Sequence, residues 1–182
     1  MVSLALLGVV LGVGYSISQV VSLGQRNADR EAQLAREITY PLTRMSEILM
    51  QNTRIEASPA PTGTTLSVRT DQDLDDVQEQ HNFSLGAAGG DTFIEQQVFL
   101  LNSAGVRVLP ARFVARWGTR VTNADPGAPL PLFRYFNASG ERIDDMSQVP
   151  DAARSVEITI RSTVDGRSVQ ESVRVVFRNR DS

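Results

Sequence analysis

The densest group of potential ligands in this chain is Asp71-Gln-Asp73-Leu-Asp75-Asp76. Carboxylates at alternate positions converge on a calcium ion when the loop carrying them curls round it. Against the EF-hand spacing the run falls short. Its sixth position is Asp76 where the turn needs glycine, and its twelfth is Asn82 where a bidentate glutamate belongs. The expectation is an acidic surface loop over Asp71–Asn82, with an irregular calcium site as the other reading of Asp71–Asp76. His81 is the single histidine, so no His–His metal spacing exists. Lying beside Asn82 in a polar stretch, it is expected to be a solvated loop residue.

Other chemistries are excluded by residue type. The chain has no cysteine, which removes disulfides, thiolate nucleophiles and Cys–zinc sites. All 18 basic residues are arginine, which removes Walker A phosphate binding and Schiff-base catalysis. No G-x-S-x-G elbow is present, and no G-x-G-x-x-G follows a predicted strand. With a net charge of −3 and no basic cluster, nucleic acid is not an expected partner. The expectation is a non-enzyme with no catalytic residue, no cofactor and no assigned metal.

What positions the remaining residues begins with Met1–Leu23, a stretch with no charged side chain and a majority of apolar ones. At about 1.5 Å of rise per residue, some 20 helical residues cross a bilayer core. A cleaved signal peptide fits less well, since the basic n-region and the small-residue cleavage site are missing. Gly8 and Gly12 form a G-x-x-x-G that lets another helix approach closely. Beyond Gln25 the chain becomes charged, and apolar residues fall on one helical stripe: Leu34, Ile38, Leu42, Met45 and Leu49. Pro41 removes the hydrogen bond to the Glu37 carbonyl and is expected to kink this helix. Ser58-Pro-Ala-Pro-Thr-Gly63 ends it.

The rest reads as strands. Thr64–Arg69, Thr92–Leu101 and Arg112–Val121 alternate, Gly86–Gly90 is a flexible turn, and Leu132–Phe136 is a short aromatic strand. Ser155–Arg161 and Ser172–Arg178 alternate strictly around a turn at Val164–Arg167. The predicted fold class is α+β: a long N-terminal membrane-spanning helix followed by an antiparallel β-sheet domain. Its parts are a transmembrane helix over 1–25, an amphipathic extension over 26–57 and a β domain over 58–182. The stripe from Leu34 to Leu49 is expected to cover one sheet face.

Three stretches resemble the minor pilins and pseudopilins of type IV pili, type II secretion and competence systems. They are the run Met1-Val-Ser-Leu-Ala-Leu-Leu-Gly-Val-Val-Leu-Gly12, the helical continuation from Gln33 to Leu42, and the C-terminal half from Phe133 to Asn179. That half is similar to the ending of the J-type minor pseudopilins. The prepilin leader with its cleavage glycine and glutamate is not in the chain, and Met1 is expected to be an internal methionine of a longer precursor. The resemblance implies a structural filament subunit anchored by its helix in the inner membrane. Its C-terminal domain would be extracytoplasmic and would reach the cell surface after assembly. The implied partners are the lipid bilayer, other pilin or pseudopilin subunits, and a prepilin peptidase. The alternative is a single-pass membrane protein with an extracytoplasmic sensor or ligand-binding domain.

Overall fold

A computed structural model describes residues 21–22, 24–33, 35–70, 78–164 and 166–177. Gly8, Gly12, Leu34 and the Asp71–Asp76 group lie outside the described residues. Residues 24–33 are helical, Ala35–Thr39 form one π turn, and Tyr40–Met50 form helix α1. The π turn sits where the proline predicts trouble. Pro41 offers no N–H to the carbonyl of Glu37 and crowds it, and a widened turn accommodates both effects.

Among the described residues nine strands follow. β1 (Arg54–Ile55), β2 (Thr65–Thr70), β3 (Glu79–Ala88), β4 (Asp91–Leu100) and β5 (Phe113–Trp117) form an antiparallel sheet in sequence order. β6 (Phe133–Phe136), β7 (Arg142–Ile143), β8 (Ser155–Val164) and β9 (Arg167–Val176) form a second sheet in the order β7-β6-β8-β9. A four-residue helix, α2 (Val149–Ala152), leads into β8.

Local sequence explains the long hairpin. Gly89 and Gly90, at φ of 63° and 90°, join β3 to β4 as a two-residue loop, which needs positive φ at both positions. Gly86 is not part of that turn. It pairs with Phe93, whose ring covers it so closely that a Cβ there would lie 2.5 Å from Phe93 Cε2. The loop between β5 and β6 joins the two sheets. Val121 bridges Ser162, the Asn123 amide donates to the Thr159 carbonyl at 2.7 Å, and the Arg161 N–H donates to Asn123 Oδ1 at 2.8 Å.

One apolar core runs through both sheets. Ile38, Leu42, Met45, Ile48 and Leu49 enter it from the helix, Leu66, Phe83, Ile94 and Trp117 from the first sheet, and Tyr135, Val156 and Ile158 from the second.

These observations correct the predicted fold class. Over the described residues, which leave out 1–20 of the expected transmembrane segment, the fold is mostly two antiparallel sheets with a short helix rather than a spanning helix leading into a single-sheet domain. Among the described residues no helix is long and apolar enough to cross a membrane. The physical reason is charge: Arg26, Asp29, Arg30, Glu31, Arg36 and Glu37 crowd the helical stretch ahead of α1. That finding stands against the transmembrane helix expected over 1–25 and against the single-pass inner-membrane localisation that followed from it.

Candidate functional site

The inward rows of β3, β4 and β5 carry polar residues where a core face would ordinarily be apolar. Along β3 the row is Glu79, His81, Phe83, Leu85. Cross-strand pairing sets His81 beside Val98 and then Phe113, and Phe83 beside Gln96 and then Ala115. Glu79, His81 and Gln96 are all buried. Burying polar side chains costs stability unless they are hydrogen-bonded.

The contacts of His81 fix its proton. The amide nitrogen of Gln96 stands 2.8 Å from Nδ1 and can only donate, so Nδ1 accepts and a neutral ring carries its hydrogen on Nε2. Glu79 Oε2 lies 3.5 Å from that Nε2, and no hydrogen bond reaches Nε2 among the described residues. The other oxygen of Glu79 accepts from Arg112 Nη1 at 3.1 Å. Burial, reinforced by the charge of Arg44, lowers the His81 pKa from 6.5 to about 4. The imidazole is therefore neutral at pH 7, and the effect of burial outweighs the attraction of the neighbouring carboxylate.

These three residues floor an open cleft of about 390 Å³ between α1 and the first sheet. Tyr40 and Arg44 border it from the helix, Arg112, Phe113 and Trp117 from the β5 side. The rings of Tyr40 and Trp117 meet edge to face, 6.4 Å apart at 88°. Arg44 spends one N–H on Glu47 at 3.1 Å. Chemically the cleft is an aromatic wall with two guanidinium groups at its border and a neutral imidazole at its floor.

A second buried charge lies where the helix enters the β body. Glu37 accepts from the Thr119 N–H at 2.6 Å, the Thr119 hydroxyl at 2.9 Å and the Arg120 N–H at 3.2 Å. Three donors on one carboxylate satisfy a group that would otherwise be costly to bury.

Of the helix-packing residues expected from sequence, Ile38, Leu42, Met45 and Leu49 are buried, and Pro41 is buried at the first turn of α1. They pack the core and line no site together with His81. His81 itself corrects the loop expectation. It is an inward strand residue, because β3 begins at Glu79 and the polar stretch does not extend through Asn82 as a loop. The alternation Glu79, His81, Phe83, Leu85 carried that signal, masked by the acidic residues before it. No sequence signal singled out Glu37, Gln96 or Arg112, whose partners are distant along the chain. Among the described residues no cluster of three or more His, Asp or Glu could hold a metal. Set against family models, curated proteins and solved structures, the chain matches none of them, and nothing in those comparisons places it among the pilins or pseudopilins.

Proposed function

We propose that this chain is a non-catalytic structural subunit of a filament of the pilin or pseudopilin class, in which the N-terminal helix makes contacts with other subunits and the β body faces outward. One observation carries the reading. The C-terminal half of the helical region is embedded, with Ile38, Met45, Ile48 and Leu49 fully buried, whereas the described side chains from 24 to 36 are exposed or half-buried. Helices stay folded in water mainly through tertiary packing of one face. A helical segment whose described side chains stay largely exposed offers a surface to a like helix of a neighbouring subunit.

The test places a photo-crosslinking residue at Gln25, Ala28 or Ala32, in the native host. The expected result is adducts with other filament subunits from these positions and none from exposed positions on the second sheet, with the chain co-purifying with filament material. A chain that yields no helix-dependent adduct and is absent from filaments overturns the proposal.

A further inference from the structure

The second sheet ends on a bare edge, and we propose that β9 pairs antiparallel with β9 of a second copy of this chain. Of the four strands that end the two sheets, β1 and β7 have two residues and β5 has five, whereas β9 has ten. Short edges, prolines and bulges are the usual protections against strand addition. β9 contains no proline, and its register with β8 runs unbroken from Ser155↔Val176 to Val164↔Arg167. Among the described residues no strand lies on its other side. The pairing joins two copies of the free chain and uses none of the helical surface that carries the filament reading.

The ladder shows which backbone groups are open. The Thr159 N–H donates to the Leu132 carbonyl, so Thr159 turns its backbone toward β6, and Ile158 and Ile160 turn theirs toward β9. Their partners Val173 and Glu171 are thus bonded within the sheet. The N–H and C=O groups of Ser168, Gln170, Ser172, Arg174 and Val176 alternate with these and point outward. All five side chains are exposed, Val176 at 63%.

Self-complementarity selects a second copy as the occupant. A dyad normal to the sheet keeps each face continuous, so outward residues meet outward residues. Centred on Ser172, the pairing sets Ser172 against itself, Gln170 against Arg174 and Ser168 against Val176, and every outward residue has a partner. On the helix side Val169 meets Val175, and Glu171 meets Val173. Neighbouring registers are worse. Centring on Glu171 opposes two carboxylates, centring on Gln170 carries Val176 past the start of β9 at Arg167, and centring on Val173 carries Ser168 past its end. Like charges directly opposite destabilise a ladder, and apolar pairs support it. β9 also borders an open groove of about 490 Å³ that Leu42 and Met50 of α1 form with Val173. The dyad at Ser172 lies beside this groove, where Val173 of the second copy adds apolar surface.

The chain has no cysteine, so single cysteines report the register. The purified full chain is oxidised with copper-phenanthroline and its disulfide-linked dimer is measured. In the proposed register Ser172→Cys faces itself in a hydrogen-bonded pair, at a Cα separation of about 5.5 Å that a disulfide spans. Gln170→Cys alone is roughly 14 Å from its copy and should not link. A mixture of the Gln170→Cys and Arg174→Cys chains should link as a heterodimer. Added to the Ser172→Cys chain, Gln170→Lys sets a cation opposite Arg174 twice and should cut linkage about fivefold, whereas Gln170→Glu should preserve or raise it. Circular dichroism melting verifies that each variant is folded. Linkage of the Ser172→Cys chain no greater than that of the Gln170→Cys chain, no heterodimer from the mixture, or indifference to Gln170→Lys would overturn the proposal. So would a Ser172→Cys chain that, oxidised in host cells, links only to other proteins, since the edge would then belong to a different partner.

Discussion

Glu37 and Thr119 are 82 residues apart in sequence and joined twice in space, the carboxylate taking both the backbone N–H and the hydroxyl of Thr119. This pair, with the Arg120 N–H, fastens the entry of the helix to the loop that leaves β5. Replacing Glu37 by alanine leaves two backbone N–H groups without their acceptor. The expected loss is about 2–4 kcal/mol of unfolding free energy, and Glu37→Gln, which keeps one acceptor oxygen, should lose less. Urea denaturation followed by circular dichroism measures both, and equal stability of Glu37→Ala and the parent would show that the latch is energetically idle.

Gly118 makes the latch possible. Its φ is +71°, and an added Cβ would stand 2.9 Å from Val121 Cγ2 and 3.2 Å from Glu37 Oε2. Gly118→Ala therefore combines a left-handed backbone with a clash against Val121 and crowding of the Glu37 carboxylate. The expected cost is about 2–4 kcal/mol. In the Glu37→Ala background the same substitution should cost somewhat less, because the carboxylate contact has gone while those to Val121 and the Glu37 carbonyl remain. A double-mutant cycle reads that difference.

Acid should weaken the fold through His81. Its pKa is about 4 when folded and 6.5 in an ordinary environment. Between those values the unfolded chain binds the proton and the folded chain does not. The stabilisation is fully present above pH 6.5 and is lost as pH falls towards 4, by about 3 kcal/mol over the window. The urea midpoint of the parent should drop more steeply over this range than that of His81→Leu. Parallel curves would contradict the assignment of the slope to His81.

Tyr135 is the alkaline counterpart. It is buried, and its hydroxyl faces the carbonyls of Thr62 and Thr65 at 3.0 and 3.2 Å. Burial raises its pKa above the usual 10. Above pH 10 the unfolded chain loses this proton and the folded chain keeps it, so stability falls as pH rises. Tyr135→Phe should cost about 1–2 kcal/mol at pH 7 and flatten the alkaline slope. Thermal melts from pH 8 to 11 measure both effects.

Where side-chain periodicity was strict, the sequence was readable. The alternation of Val156, Ile158 and Ile160 marks β8, and the turn at 164–167 marks its hairpin. The stripe through Ile38, Leu42, Met45 and Leu49 marks the face that enters the core. What stayed hidden depends on register between distant segments. Nothing in the order of residues says that Gln96 will meet His81, that Glu37 will meet Thr119, or that the strands will divide into two sheets. The acidic run before Glu79 also misled, since polarity there extended the apparent loop into the first residues of β3. Charge in the helical residues ahead of α1 likewise outweighed the apolar run as a guide to what the described helix is.

The order of strands bears on how the chain acquires its fold. In the first sheet every strand pairs with its neighbour in sequence, so that sheet can close one strand at a time from short loops. The helix is different. It precedes every described strand along the chain, yet it packs against β8 and β9, which are completed only near residue 176. Until then Ile38, Met45 and Leu49 lack part of their cover. Docking of this helix onto the hairpin of β8 and β9 thus closes a long stretch of chain, and until it happens the uncovered stripe is open to chaperone binding or to misassociation with another nascent chain.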